Sequence, residues 1–255
     1  MKRLTLTAYL LLLAIIISNA QENKGADNPL FFGVKVGGVH STFRTDYQFK
    51  FAEHRLGLVA GGNVGYKINE LLSVQLDALY VQEGASYVPS NYLYHEPNLT
   101  SSNNDLEVQR LNSNVVLHSV EAPLRVNVHL GKGDLKPKVF AGAAINYIFY
   151  AEAKNKVFVY DNADNYYAEV SGRTTNKVTS KFKDYYIGGI LGASIGFPVF
   201  GFETEVEARL KVGAQQVNNL ETLQLNNQPS IWEAPESFLD DVSVQTLMIT
   251  YGIKF

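Results

Sequence analysis

Apolar and polar residues alternate along most of the chain. Between His118 and Leu130 the apolar set is Val120, Ala122, Leu124, Val126, Val128 and Leu130, and between them stand Ser119, Glu121, Pro123, Arg125, Asn127 and His129. Four residues, Gly131 to Asp134, interrupt the pattern. It resumes with Val139, Ala141, Ala143, Ile145, Tyr147 and Phe149 on one side and Lys138, Asn146 and Glu152 on the other. Successive side chains of a strand point to opposite faces, so this stretch is a hairpin with one apolar and one ionic surface. The same period predicts strands over 30–43, 55–68, 71–87, 183–197, 202–213 and 242–255. The regular alternation of 202–213 sets Phe202, Val206, Ala208, Leu210 and Val212 against Glu203, Glu205, Glu207, Arg209 and Lys211. In 183–197, Gly188, Gly192 and Gly196 lie opposite the bulky face, where they leave room for large neighbours in a narrow interior.

Eight strands result, with connections that alternate in length. Those near 69, 131 and 198 are short, and those over 44–54, 88–116, 154–182 and 214–241 are long. An even strand number with this sorting predicts an all-β fold, an eight-stranded antiparallel up-and-down transmembrane β-barrel with short periplasmic turns and long extracellular loops. A soluble barrel of lipocalin type would instead put the apolar face inside and Glu203, Glu205 and Glu207 outside. It would also commonly carry a Gly-x-Trp near its first strand, which is missing. Pro123 cannot donate to the ladder, so a bulge is expected at Ala122-Pro123.

The first residues sharpen the address. Lys2 and Arg3, an apolar run over 9–17 and Ser18-Asn19-Ala20 follow the order of a secretory signal peptide cut after Ala20. Residues 21–29 then form a polar periplasmic leader and 30–255 the barrel. No later stretch reaches the ~20 apolar residues of a spanning helix. The chain has no Cys, which removes disulfides, thiolate chemistry and a lipid-anchoring N-terminal Cys. A net charge of −3 gives no reason to expect nucleic acid. The 15 Tyr and 14 Phe suit interfacial girdles.

The polar face supplies the candidate site. Its predicted inward set is Lys35, Arg55, Lys67, Arg125, Lys138, Arg209, Lys211 and Lys254 against Asp77, Glu83, Glu121, Glu152, Asp184, Glu203, Glu205 and Glu207. The signs nearly cancel. About eight strands enclose a space that side chains fill, so this inventory predicts an ionic plug rather than a pore. Glu203, Glu205 and Glu207 on one strand require cations from its neighbours. The histidines His40, His54, His95, His118 and His129 lack metal-ligand spacing, and Asp161, Asp164 and Asn165 fit a polar turn better than a calcium loop. No phosphate loop or nucleophile elbow occurs. The expectation is a non-enzymatic protein without cofactor or metal; a barrel-embedded lipid-modifying enzyme would need a His or Ser with an acidic partner at the outer rim. The long connections hold Tyr92, Tyr94, Tyr166, Tyr167 and Trp232, which serve either as a girdle or as anchors for an extracellular protein or glycan.

Several segments together resemble the outer-membrane β-barrel proteins of Bacteroidota, the PorT-like group: FFGVKVGGVHSTF, AGGNVGYKI, LLSVQLDALYVQEGA, SVEAPLRVNV, KPKVFAGAAINY, GGILGASIGF and TLMITYGIKF. The resemblance implies an eight-stranded membrane barrel with no shared activity, one branch assisting type IX protein secretion. It makes Pro123 in its Glu-x-Pro segment a family feature. It also implies that Phe255, in step with Tyr251 and Ile253, is the signal read by the barrel assembly machinery. Outer-membrane lipid is then the other expected partner.

Overall fold

The computed structural model describes residues 29–44, 52–87, 107–131, 133–161, 166–217 and 242–255. The expected signal peptide, most of the leader, and Tyr92, Tyr94, His95, Asp164, Asn165 and Trp232 lie outside them. Nine strands follow in order: β1 (Leu30–Arg44), β2 (Ala52–Lys67), β3 (Leu72–Tyr87), β4 (Glu107–His129), β5 (Lys136–Asp161), β6 (Tyr166–Lys177), β7 (Tyr185–Val199), β8 (Phe202–Gly213) and β9 (Ser243–Lys254). All neighbours pair antiparallel. Eight strands form the ring β1-β2-β3-β4-β5-β7-β8-β9, and β9 closes on β1 from Gly33 opposite Lys254 to Arg44 opposite Ser243. Closure leaves the ring no free edge. No helix among the described residues is long and apolar enough to cross a membrane.

Both faces of the ring follow the alternation. On β8, Val206 is 41% exposed while Glu207, the next residue, is 2% exposed. On β4, Val120, Leu124 and Val126 are exposed, while Ser119, Glu121, Arg125 and Asn127 are buried. The wall therefore presents its apolar side outward and encloses its charges, the reverse of a soluble barrel.

The short connections are made by local chemistry. Asn69 accepts the backbone N–H groups of Leu71 and Leu72 through its side-chain oxygen at 2.9 and 2.8 Å. Between β7 and β8 only Phe200 and Gly201 intervene, both at positive φ (49° and 83°), the two-residue turn whose twist matches a hairpin.

Two expectations change. Pro123 causes no bulge: Leu76 pairs Leu124 and Leu79 pairs Glu121 with no register shift, while Pro123 itself pairs Ala144 of β5. An extra residue there would turn every later side chain to the other face, expelling Glu121 or Arg125 from the interior, so skipped pairing on one side is the smaller disruption. The connections over 88–116 and 154–182 are also more regular than expected, because β4 starts at Glu107, β5 runs to Asp161, and β6 pairs the upper part of β5 outside the ring. Alternation marks a strand only where one face meets oil. Strands that rise beyond it lose that contrast and go unrecognised in the sequence.

Because the chain has no Cys, the wall is testable with single thiols. In lipid vesicles, cysteine at Val206 will resist an aqueous maleimide, whereas cysteine at Phe200, 96% exposed in its turn, will react. Mass spectrometry checks both, with urea-unfolded protein as the fully labelled reference.

Candidate functional site

The interior has two layers. Toward the short-turn rim it is ionic. Glu207 of β8 receives Lys35 of β1 at 3.0 Å and Arg125 of β4 at 2.7 Å on the same oxygen. Lys35 also meets Asp77 of β3 at 2.9 Å. Arg209 reaches Glu121 at 2.8 Å, with Asp77 at 3.8 Å. Lys211 sits between Glu83 at 2.5 Å and Glu121 at 2.6 Å, and donates to Asn146 at 2.9 Å and to the Tyr186 hydroxyl at 3.0 Å. Tyr186 donates to Glu83 in turn, as does Thr246 at 2.9 Å. In this cluster Lys35, Arg125, Arg209 and Lys211 balance Asp77, Glu83, Glu121 and Glu207, all of them buried. The pairs join strands across the barrel as well as neighbours along it.

Nearer the turns, Lys138 meets Glu205 at 2.5 Å and Lys254 contacts the same oxygen. Lys136 and Glu203 pair at 3.3 Å with both side chains part exposed. Each carboxylate of the β8 ladder thus has its cation from another strand. A cavity of about 10 Å³ touching Lys35, Asn63, Gln75, Glu205, Glu207 and Lys254 has room for about one water molecule.

Above the ions the filling is apolar. Val39, Val59, Leu79, Val81 and Met248 form one cluster. Phe43, Ala85, Val115, Leu117, Ile148, Ala151, Ala153, Phe182, Tyr186, Val217, Val242 and Val244 form another. The 3-10 turn Thr179–Lys181 delivers Phe182 into this layer, its ring 6.4 Å from that of Phe43. A hydrogen-bonded ionic plug filling the lumen was expected. The chain instead caps its charges with oil, which keeps water from them at the long-connection side.

Most of the predicted residues converge: Lys35, Asp77, Glu121, Arg125, Lys138, Glu203, Glu205, Glu207, Arg209 and Lys211 all take part, with Glu83 and Lys254. Four do not. Lys67 is exposed at the short-turn rim with no ion pair among the described residues, and Asp184 is exposed beside the 3-10 turn. Glu152 is carried outward by an extra residue in β5, which pairs His118 with Tyr150 but Ser119 with Ile148. Arg55, half-buried opposite Ser41, stands at a second irregularity, between His54 and Val59, and has no ion pair among the described residues. The extra residue of β5 reverses the parity on which the placement of Glu152 relied.

Tyr186 and Phe140 went unremarked in the sequence, although both fall on inward positions. The Phe140 ring packs under the Arg125 guanidinium at 4.2 Å and opposite Gly192, where a Cβ would come 2.3 Å from that ring. Gly192 therefore makes room for the aromatic that seats a buried cation. Tyr166 and Tyr167 open β6 opposite Asp161 and Tyr160. Tyr251 is outward and half-exposed near the barrel seam, and Phe255 stands edge-on to Phe202 there. His129 lies 3.0 Å from the Ser73 hydroxyl. Among the described residues no group of three or more His, Asp or Glu is arranged to hold a metal ion.

A family model agrees with this architecture. The sequence model of the outer membrane protein beta-barrel domain matches residues 19–213. Among solved structures, neisserial surface protein A is 13% identical, covering 88% of this chain and 97% of its own at a TM-score of 0.40. OprG of Pseudomonas aeruginosa is 12% identical, covering 91% and 98% at 0.41. Ail, the attachment invasion locus protein of Yersinia pestis, is 13% identical, covering 88% and 98% at 0.35. No curated protein matches the chain.

The buried cluster makes a sharp test. Replacing Lys211 by Met leaves Glu83 and Glu121 short of a cation and will cost about 3–5 kcal/mol of stability. Adding Glu83→Gln restores the charge balance and will recover part of that loss. Urea unfolding in detergent micelles, run as a double-mutant cycle, measures both.

Proposed function

Because this chain belongs to the outer membrane protein beta-barrel domain family, we propose that it is a closed outer-membrane barrel that works through its outer surface and connections. In this reading it reaches the membrane by a signal peptide cut after Ala20 and stands with its short turns in the periplasm. The barrel assembly machinery reads Tyr251, Ile253 and Phe255. It conducts no solute and catalyses no reaction. Its contacts are with lipid and, through the long connections that carry Tyr92, Tyr94, Tyr166, Tyr167 and Trp232, with an extracellular protein or glycan. The finer likeness to the PorT-like group, with its branch in type IX secretion, is supported by the glycine placement and the Glu121-x-Pro123 segment.

One observation carries the proposal: among the described residues the lumen is occupied by buried ion pairs, four cations balanced against four carboxylates at their centre, and above them by an apolar layer. A pore needs a continuous polar path, and an ion entering here meets paired charges followed by oil. Sites for recognition are then left to the outside.

Vesicles reconstituted with the full chain will swell in an isosmotic sugar solution no faster than protein-free vesicles, as light scattering records. Faster swelling that depends on sugar size would overturn the closed lumen.

A further inference from the structure

Two histidines that stand far apart in the chain meet on the outer wall. His40 of β1 pairs Leu56 of β2 and Leu247 of β9, and Ser41 pairs Arg55. His54, one residue further along the same pairing, therefore lies beside Thr42 and diagonal to His40. Both histidines are exposed while the intervening Ser41 is buried, so the two rings share the outward face, as diagonal cross-strand neighbours can. Their ring centres are 4.5 Å apart, and their planes are 18° from parallel.

The pair stands where the apolar belt ends. Below it on β1 the outward side chains are Val34 and Val36, and level with His40 stand Leu56 and Leu247, all four exposed. Above His40 the same face of β1 carries Thr42, paired with Gln245, and then Arg44. Gly38 separates Val36 from His40 on that face, and a Cβ built there would meet nothing within 4 Å. The two rings thus have open space beneath them and are free to turn on their side-chain torsions, as exposed side chains do in nanoseconds.

One histidine at this border would serve as an interfacial aromatic, whereas two from separate strands with their rings in contact form a chelate. A zinc–imidazole bond is about 2.0–2.1 Å long, so two ring nitrogens that share one ion lie within about 4 Å of each other. Ring centres at 4.5 Å are a small torsion away from that arrangement. Among the described residues no third ligand joins the pair, which leaves the remaining coordination positions to water or to a donor from outside. Imidazole suits copper, zinc and nickel, and Cu²⁺ binds tightest of the divalent first-row ions, whereas Ca²⁺ and Mg²⁺ require oxygen ligands. On its outward face β1 offers no carboxylate for those harder ions. We propose that His40 and His54 form a two-imidazole site for a divalent transition-metal ion, copper foremost, on the exposed wall at the long-connection end of the apolar belt. Spacing along the chain hides this site, because only the register of β1 against β2 brings the two rings together. The site depends on that register and on the outward face alone, so it stands or falls separately from the closed lumen.

The full chain, purified in detergent without a histidine tag and stripped of metal by a chelator, is titrated with Cu²⁺ and followed by electron paramagnetic resonance. The first equivalent taken up will show splitting from two imidazole nitrogens. His40→Gln and His54→Gln will each weaken its binding about a hundredfold, as loss of the second, intramolecular contact implies, and together they will remove it. His118→Gln, at a histidine 2.7 Å from the Tyr80 hydroxyl elsewhere on the wall, will leave it unchanged. Excess Ca²⁺ will not displace the copper. Heat-dependent gel migration of the same samples reports whether each variant remains a barrel, so a lost fold and a lost site are distinguished. A first equivalent that survives the double substitution, or that either single substitution leaves intact, overturns the proposal. So does an unaltered chain that takes up copper no more tightly than the double variant.

Discussion

Cross-barrel neutralisation of β8 is the interaction on which the structure depends. Glu205, Glu207, Arg209 and Lys211 point inward from one strand because their neighbours Val206, Ala208, Leu210 and Val212 point outward. Leaving any of these charges enclosed and unpaired would cost several kcal/mol, so β1, β3, β4, β5 and β9 must each bring a partner to a fixed height. Lys35, Asp77, Arg125, Glu121, Lys138 and Lys254 do so. The pairing thereby constrains register. A slip of one residue on any strand would expose its charge to oil and push an aliphatic residue among ions, so electrostatics and the hydrophobic effect select the same alignment.

The two-layer interior follows from the same economy of space. An eight-stranded ring has no volume for both a hydrated channel and a stable wall, so side chains fill it. Small residues make the filling possible: Gly192 admits the Phe140 ring that seats Arg125, and Gly142, facing β4, lies where a Cβ would come 2.1 Å from the Leu124 carbonyl oxygen. The apolar layer, closed by Phe182 and Val217, shields the ions from the long-connection side. A barrel built this way is a closed post, and in the proposed reading recognition falls to its outside.

The outer wall shows how exceptions to alternation acquire meaning. Pro123, the residue most expected to break the ladder, leaves the register intact, whereas the irregularities at His54 to Val59 and beside His118 carry no proline and no obvious signature. A missing N–H removes one hydrogen bond and changes no side chain's direction. An added residue reverses direction for everything beyond it. Glu152 consequently stands outward, paired with Lys154, though simple parity assigned it to the lumen.

The chain alone determined the ring: eight spans, their order, the outward aliphatic face, the inward charges and the sorting of connections by length. These follow from a period of two, which is a local property of each strand and survives without knowledge of its neighbours. The paired set of Lys35, Asp77, Glu121, Arg125, Lys138, Glu205, Glu207, Arg209 and Lys211 was legible for the same reason, since enclosed charges must balance. Who pairs with whom came only from the fold, because it depends on strand stagger and on height within the barrel. So did the apolar upper layer, the outward turn of Glu152, and the continuation of β4, β5 and β6 above the ring. There both faces meet similar surroundings, or one inserted residue resets the count, and a pattern read along the chain carries no record of either.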